Sequence, residues 1–155
     1  MVIITIGNYF SLGVFPIKTS QKFFHQLLML YRPFENRLNE LLGKHRLQRA
    51  QWTILYYLFN FDSATLVELS VYQGVEKPTI TRTINRLEEQ GNVQQVPTKD
   101  KREKKMKLTD LGREVYKDVR VTIDQFEQEA LSGISREEQL EIIRVMGEIR
   151  NKILN

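Results

Sequence analysis

Cysteine is absent from the 155-residue chain, and histidine occurs only as His25 and His45. The first absence excludes disulfides, thiolate-held zinc and any thiol redox switch. The second leaves no spaced set of metal ligands, so neither a metal site nor a cofactor is expected. Glycine-rich phosphate and dinucleotide loops, the G-x-S-x-G elbow and H-E-x-x-H are all missing, which argues against an enzyme. Long apolar runs are scarce as well. MVIITIGNYFSLGVFPI carries no charge over 17 residues, but Gly7, Gly13 and Pro16 interrupt it and it is short for a bilayer span. It also lacks the basic start and small-residue cleavage site of a secretion signal. Residues 1–19 therefore read as an N-terminal arm or extension, and no membrane role is expected.

Charge is plentiful but unevenly placed. The chain has 23 Lys/Arg against 19 Asp/Glu, a net of +4. Lys99–Lys107, KDKREKKMK, holds six basic and two acidic residues, so the remainder balances at 17 against 17. The excess can be assigned to one segment, which suits a basic finger reaching a polyanion. A solvated linker is the plainer reading of the same run.

Helical periodicity dominates from Ser20 onward. Phe23, Leu27, Leu30, Phe34, Leu38 and Leu41 form one apolar stripe that Pro33 is expected to kink or break. A second helix spans Arg49–Phe59. Thr65-Leu-Val-Glu68 is a capping box opening a short helix that ends near Gly74. Pro78 suits the first turn of the next helix, whose apolar line is Ile80, Ile84 and Leu87 and whose stop is Gly91. Val93–Pro97 and Lys104–Leu108 read as a hairpin with a basic tip. Thr109 caps a long helix with the stripe Leu111, Val115, Val119, Ile123, Phe126 and Ala130. A second capping box, Ser135-Arg-Glu-Glu138, starts a final helix bearing Ile142, Met146, Ile149 and Ile153. The fold class is mainly α with a small β-hairpin wing (α+β). A winged helix-turn-helix lobe over 48–109 adjoins a helical region formed by 20–47 and 110–155.

On a helical wheel Ile84 and Leu87 fall within about 40° of Ile80. Thr79, Thr81, Arg82, Asn85 and Arg86 take the other side. Arginine can bond guanine O6 and N7 together, and asparagine can do the same for adenine. Threonine and the amides near Lys77 and Pro78 suit phosphates. Glu76, Glu88 and Glu89 oppose phosphate binding by this helix, so the hairpin lysines must supply electrostatic affinity.

In these stretches the sequence resembles the MarR family of bacterial transcriptional regulators. The likeness rests on AQWTILYYL, TLVELSVYQGVEKPTITRTINRLEEQGNV, the Asp100-x-Arg102 pair and KLTDLG, and extends over roughly Ser20 to Asn155. The resemblance implies a cytoplasmic homodimer that binds double-stranded DNA, commonly as a repressor of a pseudo-palindromic operator. Thr79, Thr81, Arg82, Asn85 and Arg86 would lie on its reading helix, with Lys77 and Pro78 at the entry. Arg102 would enter the minor groove, Asp100 would orient it, and Lys99, Lys101, Lys104 and Lys105 would anchor phosphates. The resemblance also implies a small aromatic effector between the lobe and the dimer region. Phe24, Tyr31, Trp52 and Tyr56 are the candidates to line that pocket, with Phe23, Phe34 and Tyr57 beside them, although such stripes commonly serve as core. The alternatives are a winged-helix protein-interaction module and a non-specific DNA-binding protein without ligand response.

Overall fold

The computed structural model describes residues 17–98 and 103–155. Among them lie, in order, α1 (Thr19–Lys44), α2 (Arg49–Phe61), β1 (Ser63–Thr65), α3 (Leu66–Gln73) and α4 (Lys77–Glu89). β2 (Val93–Val96), β3 (Lys105–Leu108), α5 (Asp110–Ala130) and α6 (Arg136–Leu154) follow. The protein is mainly helical, with one small antiparallel sheet ordered β1-β3-β2.

Local chemistry sets the helix starts. At α3 the Thr65 hydroxyl accepts from the Glu68 amide at 3.1 Å, and the Glu68 carboxylate accepts from the Thr65 amide at 2.7 Å. Those bonds, the backbone one first, hold the Glu68 carboxyl below the usual range. Ser135 and Glu138 repeat the exchange at α6.

Three expectations are corrected. α1 continues through Pro33, so of the expected kink or break the break is absent. Pro33 lies at an exposed position, so water can satisfy the Met29 carbonyl that loses its donor. The hairpin is really part of a three-stranded sheet, because Ser63, Ala64 and Thr65 pair with Lys107, Met106 and Lys105. Three residues are too few to show a strand period. In α5 the buried line is Gly112, Tyr116, Val119 and Ile123, whereas Leu111 faces solvent.

One core joins these elements. Leu42 of α1, Ile54, Leu55 and Leu58 of α2, and Leu69 of α3 are fully buried with Ile80, Ile84 and Leu87 of α4. Met106, Val119 and Ile123 close it from the sheet and α5. By contrast α6 buries none of its residues.

The joint between α4, the sheet and α5 is tight. Gly91 has φ +75° and ends α4, donating to the Glu88 carbonyl while Asn92 donates to the Leu87 carbonyl. This left-handed cap is why a glycine stands there. The Thr109 hydroxyl donates to the Gly91 carbonyl at 2.6 Å and accepts from the Gly112 amide at 3.0 Å. A Cβ on Gly112 would sit 1.9 Å from the Asn92 carbonyl oxygen. No side chain fits unless backbone moves. Gly112→Ala should cost about 3 kcal/mol, the upper part of the overpacking range. Urea unfolding checks this, and an unchanged midpoint would mean that the joint is looser than its geometry.

Candidate nucleic-acid interface and the adjoining pocket

α4 carries the candidate reading surface. Ile80, Ile84 and Leu87 face inward with no exposed surface, which fixes the rotation of the helix about its axis. Lys77, Pro78, Thr79, Arg82, Asn85 and Arg86 are then exposed, and Thr81 is half-buried. Lys77, Pro78, Thr81, Arg82 and Asn85 line one shallow groove. The Thr81 hydroxyl donates to the Lys77 carbonyl at 3.0 Å, so it is engaged within its own helix. Arg86 extends toward Gln48 at the start of α2, 3.4 Å away. Arg82 and Asn85 make no hydrogen bond or ion pair among the described residues.

The wing base adjoins this helix. Lys104 forms an ion pair with Glu88 at 2.7 Å, with both side chains about one-third exposed. Lys105 lies on β3 opposite Thr65, and its charge helps hold the Glu68 carboxyl down after the Thr65 bonds. Each lysine therefore sits beside a carboxylate of the lobe. Lys99, Asp100, Lys101 and Arg102 lie outside the described residues.

Behind the lobe, where α1, α2, α3 and α5 meet, is a cavity of about 560 Å³. Tyr31, Phe34, Trp52 and Tyr56 line it together. Phe24 and Phe23 do not. They lie about three helical turns before Phe34 and face α6 across a separate apolar cleft. Tyr57 packs on Phe61 and Tyr72, with ring centroids 4.6 and 4.7 Å apart. The Trp52 ring stacks on buried Tyr116 at 5.0 Å and forms the floor. Burial pushes the Tyr116 hydroxyl up from its ordinary pKa.

The charged wall was not foreseen. Glu35 and Arg49 pair at 3.1 Å, and Arg49 also donates to the Tyr31 hydroxyl at 3.2 Å. Arg120 binds Asp124 and Glu127 and lies over the Trp52 ring, 6.0 Å from its centroid. Burial works against its charge, and the two carboxylates more than offset that, so the guanidinium stays charged. A sequence signal existed, since Arg120 stands four residues after buried Tyr116 and thus on its face.

A MarR-family model matches residues 46–103. An HTH-type transcriptional regulator of Staphylococcus aureus is 33% identical over 138 residues, 87% of this chain and 94% of that protein. The chain belongs to the MarR family. The regulator YwoH of Bacillus subtilis, 38% identical, matches 74% of this MarR-family chain and 84% of its own length. Among solved structures, Staphylococcus aureus MarR in complex with salicylate and kanamycin is 33% identical. It covers 87% of this chain and 92% of its own, with a TM-score of 0.77. An Escherichia coli MarR mutant complexed with operator DNA shares the fold at TM-score 0.70. It has 24% identity and covers 81% of this chain and 91% of its own. The MarR family comprises transcriptional regulators with a DNA-binding winged helix, not enzymes. No helix among the described residues is long and apolar enough to cross a membrane.

The Lys104–Glu88 pair neutralises one cation beside the candidate reading surface. Glu88→Gln should release it for a phosphate and steepen the dependence of log affinity on log salt by about one counterion. Fluorescence anisotropy over a salt series checks this, and an unchanged slope would place Lys104 out of reach of the backbone.

Proposed function

We propose that this chain is a homodimeric, sequence-specific repressor that binds a pseudo-palindromic operator and is released by a small aromatic ligand. Residues 48–109 are its DNA-binding lobe, and 20–47 with 110–155 are its dimerisation region. It acts in the cytoplasm, beside the chromosome. The observation that carries the reading is the division of α4. Its apolar line is wholly buried, and its opposite face presents Thr79, Arg82, Asn85 and Arg86 to solvent. Arg82 and Asn85, unengaged among the described residues, can form the paired hydrogen bonds that distinguish guanine and adenine in a major groove. Arg102, Asp100 and the lysines of Lys99–Lys105 supply the wing contacts, with arginine favoured in a narrow A/T-rich minor groove.

Dimerisation is supported by the apolar surface that the described residues leave uncovered. Phe23, Phe24, Leu27 and Leu30 of α1 face Ile142, Met146 and Ile153 of α6 across a cleft of about 600 Å³. Leu30 is 67% exposed and Ile153 70%. Monomers seldom leave so large a contiguous patch in water. A second copy presents the same faces, which suits a two-fold interface.

Ligand release is supported by the aromatic cavity of Tyr31, Phe34, Trp52 and Tyr56, and by the salicylate seen with the Staphylococcus aureus relative. The cavity lies between the α1–α5 helices and the lobe, so an occupant can change the angle between them.

Selection of bound duplexes from a random pool should return a palindrome with half-site centres about one helical turn apart. A pool without consensus would leave only non-specific binding. Arg82→Ala should lower the preference for cognate over scrambled DNA by about 1–3 kcal/mol, whereas Arg102→Ala should weaken binding mainly through the wing. Anisotropy on the two duplexes separates these effects. Light scattering should give a dimer at micromolar concentration, and a monomer would overturn the assembly proposed here.

A further inference from the structure

We propose that Gln48 is a positioning residue for base reading. It orients the Arg86 guanidinium on the exposed face of α4 before DNA arrives, and so sets the sequence preference at the position that Arg86 reads. The role rests on α4 being the reading helix, as proposed above. Its basis is a closed ring of four hydrogen bonds between the start of α2 and the end of α4. Gln48, the residue just before α2, donates its amide to Gln51 Oε1 at 2.9 Å. Gln51 Nε2 donates to Gln90 Oε1 at 3.1 Å. The Gln90 amide donates to the Arg86 carbonyl at 3.0 Å. Arg86 Nη1 then donates to Gln48 Oε1 at 3.4 Å, across 38 residues of sequence.

The ring has a buried side and an exposed one. Gln51 is 4% exposed, one of three buried polar side chains among the described residues. A buried amide must satisfy both of its ends. Its oxygen is taken by Gln48, so its nitrogen is committed to Gln90. Buried Asn92 adds a longer bond to Gln90 Oε1 at 3.5 Å. The first turn of α2 and the last turn of α4 are thus tied from inside, and Gln48 and Arg86 close the ring in solvent. A guanidinium has five N–H donors, and the bond to Gln48 uses one. A paired contact with guanine takes two more, so the tether leaves the reading edge available. An unrestrained arginine loses rotamer freedom when it binds, and a tethered one has already given up part of it. Arg82 has no such tether among the described residues, so the two arginines of α4 differ in preorganisation.

The test uses the full chain. In the DNA-free protein, NMR relaxation of the arginine Nε–H groups should show Arg86 more ordered than Arg82. Gln48→Ala should abolish that difference, and Gln48→Glu should keep it, because its oxygen still accepts. The second arm uses duplexes carrying each base in turn at every position of the selected site. There Gln48→Ala should lower discrimination by about threefold to tenfold at the one position that Arg86→Ala relaxes. Discrimination at the position relaxed by Arg82→Ala should stay within about twofold, as for independent sites. Adding Gln48→Ala to Arg86→Ala should change nothing further at the shared position, and Gln48→Glu should restore discrimination there. A ring that merely holds α2 to α4 would instead weaken all positions alike and lower the melting temperature, and that result overturns the proposal. So does an Arg86 as mobile as Arg82 in the free protein. If the random pool yields no consensus, the role falls together with the reading helix. An ordered Arg86 in the free protein then marks the reading, and not the ring, as the error.

Discussion

The contact between Gly112 and the Asn92 carbonyl is the constraint on which the rest of the architecture depends. It brings the start of α5 against the backbone that leaves α4, and Thr109 closes the joint with one bond to each side. The same few atoms fix where α4 ends, where β3 ends and where α5 departs. Asn92 also accepts from the Thr109 amide at 3.1 Å, so the joint satisfies its own buried polar groups. From it α5 carries Tyr116 to the floor of the aromatic pocket and Arg120 to its charged wall. Only the first turns of α5, Gly112 to Arg120, separate this joint from the pocket.

Much of the fold was legible because its determinants are local. Each capping box is spelled within four residues, and the Ile80–Ile84–Leu87 line declares its own rotation. What stayed hidden depends on partners distant in sequence. β1 exists because Met106 and its neighbours come to pair with Ala64, and nothing in Ser-Ala-Thr itself announces a strand. In α5 the spacing admitted two adjacent stripes, and only the close packing of Gly112 on Asn92 turns Tyr116 inward and Leu111 outward. The LTDLG glycine was recognisable as part of a family pattern, while its steric reason appears only in three dimensions.

The candidate site divides in the same way. Exposure of Arg82 and Asn85 followed from the wheel, because burial of one helix face dictates the other. Pairing of Lys104 with Glu88 did not, since 16 residues and a strand separate them. The aromatic pocket took Tyr31, Phe34, Trp52 and Tyr56 and left Phe23, Phe24 and Tyr57 elsewhere; for the two phenylalanines the reason is that a long helix can serve two clefts along its length. Its ion pairs were opaque for the reason that β1 was: Arg49 meets Glu35, and Arg120 crosses Trp52, through tertiary packing alone.

The bare faces of α1 and α6 have a consequence in time. The ribosome makes α1 before α6, so Phe23, Leu27 and Leu30 emerge long before Ile142, Met146 and Ile153 exist. Throughout synthesis the first half of α1 is an adhesive surface whose cleft partner has yet to be translated. The lobe between them shares its core with Leu42 of α1 and with Val119 and Ile123 of α5, so that core closes only once α5 has emerged. For this chain the interval most open to misassociation is thus set by translation of the residues after Leu30, a property of gene order along the chain and not of the finished fold.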